Sequence, residues 1–123
     1  MAKLLIIGGY PKGYKEPFSY ETRSGKVLRR ILSSHNIEAL LMDLWGSRHE
    51  EEMGRIKPEV IRKIQRRYRQ GYRIIVVGRY MYNCLMKAIA KSRSIDIHYL
   101  PHPASRTNYH RRQLEHGLIQ LSM

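Results

Sequence analysis

The loop that follows the first apolar run of the chain has glycines at a spacing that could bind phosphate. Gly8 and Gly13 fit the G-x-x-x-x-G part of the nucleotide-binding pattern, but Tyr14 and Lys15 stand where that pattern requires a lysine and a hydroxyl residue. The G-x-G-x-x-G pattern of dinucleotide-binding folds is absent as well. The residues that follow Gly13 therefore exclude a nucleotide triphosphatase. What remains is a strand that ends at glycines, and such strand ends are where an open α/β sheet places its chemistry.

The histidines and the cysteine do not form a metal-binding pattern. His98 and His102 are four residues apart, but they lie on an apolar run and the loop after it. That spacing brings two ligands together on a helix and not on an extended segment. Cys84 is the single cysteine, so the sequence has neither an intrachain disulfide nor a four-cysteine zinc or iron–sulfur site. We expect no metal and no cofactor.

Basic residues greatly outnumber acidic ones. The 123-residue chain has 23 Lys and Arg against 10 Asp and Glu, which gives a formal net charge of +13. A surplus of that size on a small protein favours a polyanionic partner, above all nucleic acid. Such binding should weaken steeply with salt, because counterions are released on binding. One predicted helix carries five basic residues, which form either a solvated outer face or a phosphate-contacting surface: Arg62, Lys63, Arg66, Arg67 and Arg69.

Strand-like and helix-like segments alternate along the chain. Four short apolar runs predict strands: Leu4–Ile7, Ala39–Leu44, Ile74–Val77 and Ile95–Leu100. Apolar residues recur at helical spacing between and after them: Val27, Leu28, Ile31 and Leu32; Val60, Ile61, Ile64 and Tyr68; Tyr82, Leu85, Met86 and Ile89; Leu114, Leu118 and Leu121. This alternation predicts an α/β fold with three layers, α/β/α, around a parallel sheet. No linker or repeat interrupts the pattern, so we expect one domain over residues 1–123.

Several helix boundaries are marked by residues that favour helix ends. Ser24 is a candidate N-cap for the first helix, and Pro58 suits the first turn of the second. Thr107 or Asn108 could cap the last helix. The polar segment Arg48–Arg55 predicts a loop or an extra turn.

Two motifs follow the first and the fourth predicted strands. The first comprises Gly8-Gly9-Tyr10-Pro11, then Pro17-Phe18, then Ser24-Gly25-Lys26-Val27-Leu28; the second is His102-Pro103-Ala104-Ser105. Together they resemble the uracil-DNA glycosylase superfamily, in which the first motif reads roughly G-x-x-P, Pro-Phe and Ser-Gly-x-x-Leu, and the second His-Pro-Ser. The resemblance spans Leu4 to about Arg112. It implies a four-stranded parallel sheet in the order 2-1-3-4.

The resemblance also implies a reaction and a role for each matching residue. Members of the superfamily hydrolyse the bond between a base and deoxyribose after flipping the nucleotide out of the stack. Phe18 would stack on the flipped base, Asp43 would bind its edge, and His102 would donate a hydrogen bond to the carbonyl oxygen that gains charge as the base leaves. Backbone N–H groups of the first motif would bind the base or a phosphate, at Gly8, Gly9 and Tyr10. The residues expected to contact DNA are Lys12, Lys15, Ser105, Arg106 and Arg111.

The chain departs from the family at the place that positions the attacking water. Active relatives have a carboxylate or an asparagine after the first glycine, where this chain has Gly9, or Tyr10 if the alignment shifts by one residue. We expect Glu16, in the same loop, to act as the substitute catalytic carboxylate; the alternative is that Lys12 or Lys15 attacks the sugar instead. Asp43 stands where relatives often have asparagine, and an ionised carboxylate accepts a hydrogen bond from N3–H but cannot also donate one. The base preference is therefore expected to differ.

Three functions remain open from the sequence. The first is a glycosylase acting on uracil or a related altered base in DNA, and the second is a catalytically silent nucleic-acid-binding protein with the same fold. The third is an enzyme acting on free nucleotides or nucleosides, which would not need so large a positive charge. The apolar runs are far shorter than the ~20 residues of a membrane span, and the first is too short for a signal-peptide core. We expect a cytoplasmic monomer, associated with the nucleoid through single- or double-stranded DNA and not with a membrane.

Overall fold

The computed structural model describes residues 2–90 and 95–123 and contains four strands that alternate with helices. The strands are β1 (Lys3–Gly8), β2 (Ala39–Asp43), β3 (Tyr72–Val77) and β4 (Ile97–Leu100). The helices are α1 (Arg23–Ser34), α2 (Arg48–Met53), α3 (Pro58–Arg69), α4 (Arg79–Ile89) and α5 (Asn108–Ser122). All strand pairs are parallel and the order is β2-β1-β3-β4, which confirms the predicted order 2-1-3-4. The predicted domain 1–123 includes position 1 and positions 91–94, which lie outside the described residues.

Two apolar layers cover the two faces of the sheet and confirm the α/β/α arrangement. One layer packs beneath α1 and α5 and includes Leu4, Ile6, Ile75, Val77, Leu28 and Leu114. The other packs beneath α3 and α4 and includes Leu5, Ile7, Ile74, Val76, Ile64 and Leu85. Successive strand residues point to opposite faces. Because β1 and β3 are covered on both faces, they read in the sequence as unbroken apolar runs.

The start of α1 differs from the prediction. Ser24 was expected to cap this helix, but the N-cap is Thr22, whose side-chain oxygen accepts a hydrogen bond from Gly25 N at 3.0 Å. Ser24 is buried within the first turn instead. The helix therefore begins at Arg23, close to the loop that carries the first motif.

Other boundaries agree with the sequence or refine it. α3 begins at Pro58 as predicted, and Thr107 rather than Asn108 caps α5. The polar segment Arg48–Arg55 contains the short helix α2. On α4, Met86 is one of the apolar residues at helical spacing but is 38% exposed, because the core side of this helix is formed by Met81 together with Leu85 and Ile89.

The carboxyl ends of the strands bring the motif loops to one edge of the sheet. Gly8 is the register partner of Asp43, and beyond the ladder Trp45 N donates to Gly9 O at 2.9 Å. Gly78 N donates to Leu100 O at 2.9 Å, so the chain after β3 lies beside the chain leading to His102. The loops after β1, β2 and β4 therefore open at the same edge.

Among the helices that the structure describes, none combines the length and the apolar character that crossing a membrane requires.

Candidate functional site

A small cavity lies at the carboxyl edge of the sheet. Its free space is about 40 Å³, enough for about three water molecules. The loop after β1 lines it with Gly9, Tyr10, Lys12 and Phe18. Other side chains that line it are Asp43, Glu51 and His102. Phe18, Asp43 and His102 were assigned to one pocket from the sequence. The structure brings all three to this cavity.

Phe18 forms one wall, and two glycines make room for it. The ring is 7% exposed, and a Cβ on Gly8 would lie 2.5 Å from its Cζ. Gly25 in α1 permits the loop to approach, since a Cβ there would lie 2.5 Å from Phe18 O. Arg29 holds the loop in place: its Nε donates to Phe18 O at 2.6 Å and its Nη2 to Pro17 O at 3.0 Å. The Pro-Phe and Ser-Gly parts of the first motif therefore act together to position one aromatic ring.

His102 is a neutral hydrogen-bond donor in this site. Ala104 N donates to His102 Nδ1 at 3.0 Å, which assigns the proton of the neutral ring to Nε2. Burial, and then the positive charge of Lys12, lowers the pKa of His102. At pH 7 the ring is therefore uncharged, and its Nε2–H is available to a ligand.

Asp43 has a buried carboxylate oxygen that lacks a partner. Its Oδ2 makes no hydrogen bond with any residue that the structure describes. Burial, and then the negative charge of Glu51, raises the pKa of Asp43 to about 6. A buried polar atom without a partner is costly unless a ligand or a water supplies the hydrogen bond. Asp43 is therefore available to bind a donor that enters the cavity.

Glu51 occupies the space that a side chain at position 9 would fill. A Cβ built on Gly9 would overlap Glu51 Oε2. Burial raises the pKa of Glu51, while the charges of Lys12 and Arg48 oppose that rise. Position 9 is a glycine and has no carboxylate of its own, but α2 places the Glu51 carboxylate at the same point.

The position of α2 is fixed by contacts with its backbone. Ser47 caps the helix, with its side chain accepting from Glu50 N at 3.2 Å. Tyr80 donates its hydroxyl proton to Glu51 O at 2.6 Å, and Trp45 Nε1 donates to Arg55 O at 2.8 Å. These bonds place Glu51 over the loop after β1.

Glu51 was not predicted from the sequence, in which Glu16 was the expected carboxylate. The structure places Glu16 on the surface, with its Oε1 at 3.8 Å from Arg29 Nη2, and it does not line the cavity. Glu51 belongs to no motif and lies in a segment that was predicted as a loop or an extra turn. The signal that points to it is the acidic run that follows the second strand at the same sheet edge as the glycine loop.

The residues expected to contact DNA lie around the cavity and on α5. Lys12 is exposed and lines the cavity, whereas Lys15 is exposed in the same loop and does not. Ser105 Oγ is 2.7 Å from His110 Nδ1, so the first turn of α5 holds its hydroxyl. Arg106 is exposed in the same loop as Ser105. Arg111 is exposed and lines a groove between α5 and α1.

Within residues 2–90 and 95–123 there is no cluster of three or more side chains that could hold a metal ion.

No protein-family model, no curated protein and no solved structure matches this chain.

Proposed function

We propose that the protein hydrolyses the N-glycosidic bond of uracil or a related altered base in DNA, as a small divergent member of the uracil-DNA glycosylase superfamily. The observation that carries the proposal is the convergence of Phe18, Asp43 and His102 on one cavity, with the carboxylate of Glu51 beside them. These groups supply an aromatic wall, an acceptor for the edge of a nucleobase, a neutral hydrogen-bond donor and a carboxylate that can act as the general base. The net charge of +13 supports a nucleic acid as the substrate.

Binding uses the wall and the unpartnered oxygen. A base that enters the cavity stacks on the ring of Phe18 and donates a ring N–H to Asp43 Oδ2. The space of about 40 Å³ holds only a few waters, so the exposed part of the loop around Lys12 moves aside to admit the base, while Arg29 holds the part that carries Phe18. The unpaired oxygen of Asp43 then gains the partner that no described residue provides.

Bond cleavage uses the imidazole and the second carboxylate. As the bond between C1′ and the base nitrogen breaks, its electron pair leaves with the base and negative charge collects on a base carbonyl oxygen. His102 Nε2–H donates to that oxygen without having to lose its proton. The oxygen of a water molecule forms the new bond to C1′, and Glu51 accepts the proton of that water. The products are a free base and an abasic deoxyribose.

Strand scission at abasic sites tests the proposal directly. The protein is incubated with single- and double-stranded oligonucleotides that carry uracil or another altered base, and abasic sites are then cleaved with alkali. We expect scission at the altered base and none in oligonucleotides of ordinary sequence. Absence of scission for every base, with the protein in excess, would overturn the proposal.

An exchange of carboxylates tests the role of Glu51. Glu51→Gln should lower the cleavage rate about 10²- to 10⁴-fold, the usual contribution of a general base, while oligonucleotide binding persists. Gly9→Asp should restore part of the activity in a Glu51→Ala background, because the new side chain enters the vacated space. The same Gly9→Asp change in the otherwise unaltered protein should not raise activity, because it collides with Glu51.

Glu52→Gln is the matched control for the exchange. Glu52 is the next residue of α2, is exposed and pairs with Arg48 at 3.3 Å on the surface. Its substitution should leave the cleavage rate unchanged. Full cleavage by Glu51→Gln, or an equal loss in both variants, would remove Glu51 from the mechanism.

A catalytically silent binding protein is the second candidate, and the small size of the cavity favours it. This candidate predicts salt-dependent binding of DNA without release of a free base. Cleavage that appears only after Gly9→Asp is combined with Glu51→Ala would identify a fold whose chemistry has been lost and can be restored.

A further inference from the structure

A basic groove lies between α1 and α5, on the face of the sheet opposite α3 and α4. It has a volume of about 510 Å³ and is lined by Arg23, Lys26 and Arg30 from α1 and by Arg111 from α5. No acidic side chain of the described chain lines it. We propose that this groove binds consecutive phosphates of single-stranded DNA and leads the strand to the cavity. The proposal rests on DNA being the substrate in the function proposed above.

The spacing of the α1 cations suits a phosphate backbone. Arg23, Lys26 and Arg30 follow an i, i+3, i+7 pattern, which places them along one side of the helix. The helical rise separates the first and the last by ~10 Å. A row of that length lets each of the three long side chains contact a different phosphate of one strand. All three side chains are exposed.

The positive charge of the groove is not compensated by neighbouring acids. α1 contains no acidic residue, and the acid on α5, Glu115, pairs with His35 Nε2 at 2.9 Å. The ion pairs found among the described residues do not include the four groove cations. A cluster of exposed like charges repels itself, and a polyanion relieves that repulsion.

The linings of the groove and of the cavity meet at the start of α1. Thr22 and Ser24, which flank Arg23 in the sequence, line the cavity, while Arg23 itself lines the groove. Two exposed tyrosines lie near the N-terminal ends of the groove helices: Tyr20 is 52% exposed before α1, and Tyr109 is 67% exposed in the first turn of α5. Aromatic side chains beside a basic groove stack on unpaired bases. This arrangement favours a single strand over a duplex, whose bases are already stacked.

The basic face of α3 provides the comparison. Arg62, Lys63 and Arg66 are exposed on the other side of the sheet, so they neither line the groove nor border the cavity. The sequence left this face open as either a solvated surface or a phosphate-contacting one. If the groove binds the DNA, the basic face of α3 only contacts solvent. Its three cations therefore serve as a control that matches the three α1 cations of the groove in number.

The experiment compares two triple variants with the unaltered protein. The groove variant is Arg23→Gln/Lys26→Gln/Arg30→Gln, and the α3 variant is Arg62→Gln/Lys63→Gln/Arg66→Gln. Each lowers the net charge of +13 by three. The probe is a fluorescent oligothymidine of ~20 nucleotides, longer than the ~4–16 nucleotides of typical single-strand sites, and its Kd is measured against NaCl concentration. The same measurement on a duplex of equal length tests the preference for a single strand.

The expected result is a change of salt dependence in the groove variant alone. Each phosphate contact on a single strand contributes about −0.7 to the slope of log K against log salt, so the groove variant should lose ~2 from that slope. The α3 variant should keep the slope of the unaltered protein. An equal change in both variants would overturn the proposal, because net charge alone would then explain binding. A larger change for the duplex than for the single strand would overturn it as well.

The groove and the glycosylase proposals fail separately. A protein that binds the oligothymidine through the groove but never releases a base supports the groove and removes the glycosylase function. A protein that releases a base but whose two triple variants bind alike supports the function and removes the groove. Thermal unfolding midpoints for both variants that are no lower than that of the unaltered protein exclude misfolding as the cause of either result.

Discussion

Gly9 and Glu51 illustrate, at the scale of single residues, what a sequence can and cannot assign. Phe18 and His102 could be assigned from the sequence because they belong to motifs that follow predicted strands, and Asp43 because it lies at the end of a predicted strand. Glu51 could not, since its place over Gly9 depends on where α2 packs. That packing is set by hydrogen bonds to backbone oxygens far along the chain, among them the bond from the Tyr80 hydroxyl to Glu51 O. No local pattern in the sequence encodes such a contact.

The raised pKa of Asp43, about 6, predicts a pH-dependent choice of base. The ionised carboxylate only accepts hydrogen bonds, whereas the protonated form both accepts and donates, as the N3–H and the adjacent carbonyl of uracil require. The uracil-release rate of the unaltered protein, divided by that of Asp43→Asn, should therefore rise as pH falls through 6. Dividing the two rates largely removes the effect of the titration of Glu51, because both proteins contain Glu51. A ratio that stays constant on both sides of pH 6 would contradict this role.

The same pKa has a consequence for stability. The folded-state pKa of Asp43 lies above its ordinary value of 3.8, so the folded protein holds the proton more tightly than the unfolded chain. Burial of the ionised group therefore opposes folding above pH 6, and this cost disappears as pH falls towards 3.8. Asp43→Asn should accordingly raise the free energy of unfolding more at pH 8 than at pH 5.

At the scale of elements, apolar patterns predicted the structure wherever an element is buried. β1 and β3 appeared as continuous apolar runs because helices cover both faces of the sheet. α2 did not appear, because a six-residue helix with no buried residue has no apolar face to recognise. It is held by its cap and by long-range hydrogen bonds. The sheet order came from the family resemblance and is confirmed, although periodicity alone does not determine it.

Because β1 and the loop after it are in close contact, replacing Gly8 with a larger residue should lower the free energy of unfolding. Gly8→Ala places a methyl group 2.5 Å from Phe18 Cζ, and Arg29 restrains the loop from moving away. We expect a loss of about 1–3 kcal/mol in the free energy of unfolding, the usual cost of overpacking, measured by urea denaturation. Gly46→Ala is the control, since its new methyl would lie at an ordinary 3.6 Å from Glu50 Oε2. Equal stability of the two variants would mean that the ring is not held against β1.

At the scale of the whole molecule, the net charge of +13 predicts opposite salt responses for folding and for DNA binding. Repulsion among the cations destabilises the compact state, and salt screens it. Salt also weakens attractive ion pairs, but those on a surface contribute only about 0–1 kcal/mol each. The ion pairs found among the described residues involve few of the cations, namely Arg29, Arg48 and Lys57. Repulsion should therefore dominate.

The thermal unfolding midpoint should consequently rise between about 0.1 M and about 1 M NaCl, where the Debye length falls from ~10 to ~3 Å. A gain of about 1 kcal/mol would raise it by roughly 4 °C in a domain of this size. Both triple variants should show a smaller rise, because each lacks three of the repelling charges. Over the same range the affinity for oligothymidine should fall, since phosphate contacts release counterions. A midpoint that falls with salt would mean that local pairing already balances the cations, which would contradict the uncompensated charge assigned to the groove between α1 and α5.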